Sequence, residues 1–123
     1  MMAKTQVEDL GEVIEAIKAS SRGWIEAIEV VSEDGAPLAH HSELEFNPEY
    51  VAAATAAICG AISAVIELLN VKKYKKVNIQ LEDGRYLLMR KYRGNYIVCL
   101  TKPNPNLGLI NMILEAYLSE REE

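Results

Sequence analysis

The chain has 123 residues, of which half are hydrophobic and a quarter are charged, and its formal net charge is -5. This size and composition predict a single globular domain over residues 1–123 with a sizeable buried core. The acidic balance argues against non-specific nucleic-acid binding, because the phosphate backbone rewards clustered lysine and arginine.

The first part of the chain predicts a helix followed by a β-hairpin. Between residues 4 and 20, apolar side chains recur at the spacing of one helical face. Residues 24–31, with the sequence WIEAIEVV, are rich in β-branched side chains and predict a strand. Glu33-Asp34-Gly35 is a turn signal, because glycine readily adopts a positive φ. The segment from Pro37 to His41 then predicts the second strand of the hairpin.

A long helix and three more strands are predicted next. Asn47 can cap the helix and Pro48 fits its first position, and the helix is expected to run to Asn70. Strands are predicted at 74–82, 85–92 and 96–102, with Asp83-Gly84 as a two-residue hairpin turn and Asn106 capping a final helix. The predicted order is α-β-β-α-β-β-β-α. Its three hairpins imply a mostly antiparallel sheet, and the apolar last strand requires helices on both faces. The expected fold class is therefore α+β, with three α/β/α layers.

The long helix is more apolar than one sheet requires. Residues 50–66 carry no charge, whereas a helix packed on a single sheet needs an apolar stripe on only part of its circumference. Three environments would bury the other side: the domain itself, a membrane or a second copy. The uncharged run is shorter than the ~20 residues that a bilayer needs, so no membrane insertion is expected. Homodimer interfaces resemble a domain core cut in half. We therefore predict a homodimer in which two helices meet along the small residues Ala53, Ala56, Ala57, Gly60, Ala61 and Ala64.

The strand that follows this helix is a second candidate for the dimer interface. If residues 74–82 form a sheet edge, their unpaired backbone groups favour pairing with the same strand of another copy. A two-fold axis would then join the two sheets as well as the two helices. Val77 and Ile79 are accordingly included in the predicted interface.

Catalytic, metal and cofactor signals are weak. No glycine-rich phosphate loop is present in the sequence. Adjacent strand residues point to opposite faces, so His40 and His41 chelate one ion poorly. Cys59 and Cys99 lie in apolar runs and are predicted to be buried free thiols. The chain is therefore expected not to be an enzyme and to bind no metal or cofactor. The N-terminus lacks an uninterrupted apolar segment, which predicts a cytoplasmic location without a secretory signal.

Basic residues form a candidate partner-binding patch. A cluster of this kind can steer an acidic partner, and an arginine can act in trans on a GTPase. A solvated basic edge is the alternative interpretation. The patch predicted from the sequence comprises Lys72, Lys73, Lys75, Lys76, Arg85, Arg90 and Arg93, with Lys91 among them.

Three stretches resemble the Roadblock family of dynein light chains and GTPase regulators, which has a longin- or profilin-like fold. They are the first hairpin, from Ile28 to Ala39, the alanine-rich helix, and the segment from Ile97 to Ile110 that ends in Asn106-Leu107-Gly108-Leu109-Ile110. The resemblance spans almost the whole chain and implies a five-stranded antiparallel sheet between helices. It also implies dimerisation through the central helix and the following strand.

The resemblance implies a non-catalytic role in protein assembly. Members of the family serve in dynein complexes, in platforms that recruit small GTPases and as prokaryotic partners of Ras-like GTPases. The leading hypothesis is a homodimeric module that scaffolds or regulates a small Ras-like GTPase. One alternative is a structural adaptor in a larger complex without a GTPase, and another is a small-molecule sensor of the profilin-like kind. Fold alone does not decide among them.

Overall fold

The structure is a computed structural model that describes residues 2–119, with side chains described from Leu10 onward. Val7, which the sequence places on a helical face, and residues 120–123 of the predicted polar tail therefore lie outside the described side chains. The elements are α1 (Met2–Ser20), β1 (Ile25–Ser32), β2 (Pro37–Ser42), α2 (Pro48–Leu68), β3 (Lys76–Gln80), β4 (Tyr86–Tyr92), β5 (Asn95–Thr101) and α3 (Leu107–Leu118). The predicted element order is confirmed.

The five strands form one antiparallel sheet in the order β2-β1-β5-β4-β3. The predicted fold class and the three hairpins are confirmed. β5 lies in the middle of the sheet, which explains why its sequence is apolar on both faces. β3 has five residues instead of the nine expected from residues 74–82, because it pairs with β4 only from Lys76 to Gln80.

Helix caps and turns follow the local sequence, with one correction. Asn47 accepts hydrogen bonds from the backbone N–H groups of Glu49 and Tyr50, as expected for a cap. The turn between β3 and β4 has three residues inside its closing Leu81–Arg85 pair, not the predicted two. Leu81 N–H bonds to the carbonyl of Arg85, and Gly84 takes a φ of +92° inside that closure. A type I turn fits the right-handed twist of a hairpin when the residue after it has a left-handed backbone conformation, which Gly84 adopts here.

The helices cover the two faces of the sheet unequally. α1 and α3 pack on one face over a core that includes Ile14, Ile28, Ile97 and Ile110. α2 alone packs on the other face, over a smaller cluster with Cys59 and Met89 near its centre. α2 alone therefore covers one face of the sheet, whereas α1 and α3 together cover the other. Separately, a bulge early in β1 shifts the register of its pairing with β5 between Ile25 and Ala27.

Candidate protein-interaction site

α2 leaves most of its apolar surface uncovered within one chain. Only Ala52, Thr55 and Cys59 are buried on this 21-residue helix. Large apolar side chains at its C-terminal end are exposed, with Val65 at 55% and Leu68 at 83%. Removing such apolar surface from water is favourable by roughly 25 cal/mol of free energy per Å² buried. The exposed side of α2 is thus an apolar surface that has no partner within the described part of the chain.

The predicted interface residues lie on or beside this surface. Ala53, Ala57, Gly60, Ala61 and Ala64 are exposed, while Ala56 and Val77 are half-buried against the small cluster and Ile79 is 37% exposed. A Cβ added to Gly60 would meet no atom within 4 Å. Packing within one chain therefore does not require a glycine at position 60. Close approach by a helix of another chain would explain why this residue is small. The interface itself remains a prediction.

β3 provides the free sheet edge that the sequence argument required. It pairs with β4 on one side only, so the N–H and C=O groups of its other side have no strand partner in the described part of the chain. Val77 packs on the same cluster as Cys59 of α2. The free edge of β3 and the exposed surface of α2 consequently flank one cluster. A single two-fold axis there would pair β3 with β3, and α2 with α2, of a second copy.

By length and composition alone, α2 could also cross a membrane. It is the one helix in residues 2–119 that passes that test, with 17% of its most apolar window buried in the fold. The short uncharged run therefore does not by itself exclude a membrane span, because the whole helix reaches the ~20 residues required. α2 nevertheless covers Val31, Met89 and Val98 of the sheet. Moving it into a bilayer would expose that cluster to water.

Four of the predicted basic residues come together at one corner of the sheet. A cleft of about 360 Å³ lies between the β3–β4 edge and the C-terminal half of α3. We call it the basic cleft, and its charged lining residues are Lys75, Lys76, Arg90, Lys91 and Glu115. Lys76 lies directly across from Arg90 in the β3–β4 ladder. The four cations outnumber the single carboxylate, so the cleft attracts acidic groups.

Among the charged residues that line the cleft, Arg90 is buried, with 8% of its surface exposed. Its guanidinium donates to Asn78 Oδ1 at 2.9 Å, to the Met89 carbonyl at 2.8 Å and to Asn111 Oδ1 at 3.0 Å. Burial lowers the pKa of Arg90, because desolvation disfavours its charged form. None of these acceptors is anionic. The Arg90 guanidinium thus has neutral acceptors here, and a partner's carboxylate would give it an anionic one. Asn111, on α3, could not be assigned to the cleft from the sequence.

Arg85 and Arg93 lie apart from the basic cleft. Arg85 precedes β4, at the opposite end of the strand from Arg90, and its guanidinium pairs with Glu26 and Asp83. Its charge is thereby largely neutralised within the chain. Arg93 lies in the β4–β5 turn with its guanidinium 5.0 Å from the ring centre of Tyr92. Lys72 and Lys73 are exposed in the segment that joins α2 to β3. The structure thus does not bring the predicted basic residues together as one patch.

The candidate reactive side chains lie in unreactive settings. Burial raises the pKa of Cys99 to about 12, which disfavours the thiolate needed for nucleophilic attack. Cys59 is also buried and forms no disulfide. His40 contacts the ring of Phe46, whereas His41 lies 3.9 Å from Glu15, so the two imidazoles diverge as predicted. Within the described residues, no group of three or more potential metal-ligating side chains occurs. The expected lack of turnover stays a prediction.

The sequence profile of the Roadblock/LC7 domain matches residues 19–101. The chain belongs to the Roadblock/LC7 domain family. The matched region begins at the end of α1 and extends through β5, so it contains the whole sheet and α2. The family resemblance inferred from the hairpin, the alanine-rich helix and the last strand is confirmed. No match to the chain occurs among curated protein sequences.

Several solved structures are similar to this fold at low sequence identity. MglB of Myxococcus xanthus has a TM-score of 0.81 at 13% identity, covering 89% of this chain and 88% of that chain. The gliding protein MglB of Thermus thermophilus has a TM-score of 0.73 at 18% identity, covering 87% and 83%. Profilin II of Acanthamoeba castellanii has a TM-score of 0.53 at 14% identity, covering 79% and 84%. At such identities the likeness establishes the fold.

Proposed function

We propose that the chain is a cytoplasmic homodimeric interaction module that scaffolds or regulates a small Ras-like GTPase. The single observation that carries this proposal is the uncovered apolar side of α2, which lies beside the free edge of β3. A monomer would leave the exposed α2 and β3 residues in water. A two-fold dimer would bury both surfaces at once and join the two sheets. The family resemblance likewise implies dimerisation through the central helix and the following strand.

The partner class is inferred from charge and from the family resemblance. Roadblock resemblance implies Ras-like GTPases among the partners, and the basic cleft is suited to an acidic surface loop. The cleft lies at the β3 edge, so a β3-mediated dimer would place two such clefts near the two-fold axis and add their fields. A partner would then meet both subunits or bind twice.

Affinity purification of the dimer from native lysate, followed by mass spectrometry, would test the partner class. Recovery of a Ras-like GTPase supports the proposal. Recovery of a stable multi-subunit complex without a GTPase favours the structural-adaptor alternative instead. The purified chain is expected to show no nucleotide hydrolysis of its own, because an acid/base pair beside a nucleophile is not present in the described residues. Activity that survives purification and is lost on a point mutation would contradict this expectation.

Charge reversal at Lys73 and Lys76 is expected to slow association with the recovered GTPase by about tenfold at low salt. Lys76 lines the basic cleft, Lys73 lies three positions before it in the chain, and both are exposed, so reversing their charges removes electrostatic attraction without removing a core contact. The salt dependence of the association rate should flatten as well, because screening acts on the steering field. Stopped-flow kinetics at several salt concentrations would measure both effects.

A matched control changes the same net charge elsewhere. Arg22 is exposed and Lys102 is half-buried, and they lie at the other end of the sheet, where Lys102 pairs with Trp24 through its backbone. Arg22→Glu with Lys102→Glu should leave association much less affected. Equal slowing in both double variants would show that net charge acts without a localised site, and unchanged kinetics in the Lys73 and Lys76 variant would place the partner elsewhere.

A further inference from the structure

The segment that joins α2 to β3 exposes large apolar side chains where the helix ends. Leu68 is 83% exposed, Leu69 is 68% exposed and Val71 is 48% exposed. None of the three is predicted for the dimer interface, which on α2 ends at Ala64. Exposed apolar residues are ordinary when they are scattered singly, whereas a local concentration of them marks an interaction surface.

Hydrogen bonds hold the backbone of this segment in a defined turn. Asn70 has a φ of +66°, and its N–H donates to the carbonyl of Glu67. The N–H of Val71 donates to the carbonyl of Ile66 at 2.8 Å. This is the Schellman arrangement that ends many helices, and asparagine tolerates its left-handed position. The exposed leucines therefore extend from a hydrogen-bonded helix end. We call residues 68–73 the α2–β3 tip.

Lysines follow the apolar side chains directly in the chain. Four of them occur within five positions, and all four are exposed: Lys72, Lys73, Lys75 and Lys76. No salt bridge to any of the four occurs among the side chains described from Leu10 to Ser119. Glu67 precedes the tip, and Glu115 lines the basic cleft with Lys75 and Lys76. The lysines outnumber these two acids, so the tip and its flank carry excess positive charge.

We propose that the α2–β3 tip docks on an anionic phospholipid surface. Its apolar side chains would enter the boundary between headgroups and acyl chains, and the lysines would contact the lipid phosphates and carboxylates. Apolar side chains beside lysines are typical of protein segments that lie in a membrane interface. An acidic protein surface fits this composition less well. Lysine is depleted in protein interfaces, and leucine and valine are under-represented among the residues that dominate their binding energy.

Docking of this kind differs from a membrane span. α2 stays on the sheet, where it covers Val31, Met89 and Val98, and only its C-terminal end reaches the lipid. Lysine stems can lie along the apolar surface while their ammonium groups stay at the headgroups. Lipid docking also requires no GTPase, so a result against it would leave the proposed function standing.

Cosedimentation of the purified chain with vesicles tests lipid docking. The chain should pellet with vesicles of phosphatidylserine and phosphatidylcholine in equal amounts, and it should stay in solution with phosphatidylcholine alone. Lys72→Gln with Lys73→Gln should weaken binding about tenfold or more, because each lysine near an anionic surface adds to the attraction. Arg22→Gln with Lys102→Gln removes the same charge at the other end of the sheet and should weaken binding less than about twofold.

Two substitutions at Leu69 test the apolar part of the contact. Leu69→Gln keeps all four lysines and should weaken vesicle binding about tenfold, because less apolar surface leaves water. Sedimentation velocity of this variant would show whether its oligomeric state is unchanged. Leu69→Trp should lose fluorescence when the acyl chains carry bromine. That loss should exceed the loss in the unmodified chain, whose single tryptophan is Trp24.

Three results would overturn lipid docking. The first is a chain that stays in solution with the anionic vesicles, and the second is equal weakening by the two charge variants. The third is vesicle binding without additional quenching of Leu69→Trp, since the tip would then not enter the lipid. If vesicles are not bound and Leu69→Gln weakens capture of a partner protein, the tip belongs to a protein interface instead.

Discussion

Ala57→Glu is expected to convert the dimer into a folded monomer. Ala57 is exposed on α2, so a longer side chain has space in one chain. In the proposed dimer the two-fold axis would bring two carboxylates into an apolar interface. Burying unpaired charges there costs several kcal/mol, and roughly 4 kcal/mol weakens the dimer about a thousandfold. Sedimentation velocity should show the monomer, and circular dichroism should show unchanged secondary structure.

Ala116→Glu is the matched control for this substitution. Ala116 is also an exposed alanine on a helix, but it lies on α3, on the other face of the sheet. This variant should sediment as the unmodified chain does. A dimer that persists in Ala57→Glu would place the interface elsewhere. Loss of secondary structure in Ala57→Glu would mean that α2 is covered within its own chain, which is the intradomain alternative.

Glu29→Gln is expected to remove a pH dependence of stability. Burial raises the pKa of Glu29 from its ordinary value of 4.5 to about 7. Between those values the folded chain retains a proton that the unfolded chain releases. The free energy of unfolding therefore falls as pH rises from about 4.5 to about 7, by at most ~3 kcal/mol. Above about pH 7 the charged carboxyl destabilises the fold, and the variant with its neutral amide should be more stable there by about 1–2 kcal/mol.

Urea unfolding of both proteins across this pH range, at one fixed concentration, measures the effect. Fixing the concentration matters because dimerisation also contributes to the apparent stability. Glu33→Gln is the control, since Glu33 lies exposed in the turn after β1. This control should retain the slope of the unmodified chain. Identical slopes in Glu29→Gln and the unmodified chain would show that Glu29 is solvated in the folded state.

Local sequence predicted the elements well because their signals are short in range. The Asn47-Pro48 cap, the glycine turns and the alternation of the strands act over a few residues, and they placed all eight elements in order. The charge-free helix also indicated an uncovered surface before the sheet was known. The turn before Arg85 was predicted too short, because Asp-Gly occurs both in two-residue turns and at the end of a three-residue loop.

Contacts between distant parts of the chain could not be predicted in this way. Arg85 pairs with Glu26 across 59 positions, which removes it from a patch that its sequence neighbours suggested. In the sequence, Glu29 is an ordinary polar position in a partly alternating strand. Its burial follows from the position of β1 between β2 and β5 and from the cover that α2 provides. A sequence signal would exist only once β1 was known to be internal and covered on both faces.

We expect α2 and β3 to join two copies of this chain. Static light scattering of the unmodified chain at micromolar concentration tests it most directly. The expected mass is about twice the 13.7 kDa of one chain. That mass should be independent of dilution through the low micromolar range, because the apolar α2 surface would remain buried. A mass equal to that of a single chain would contradict the account.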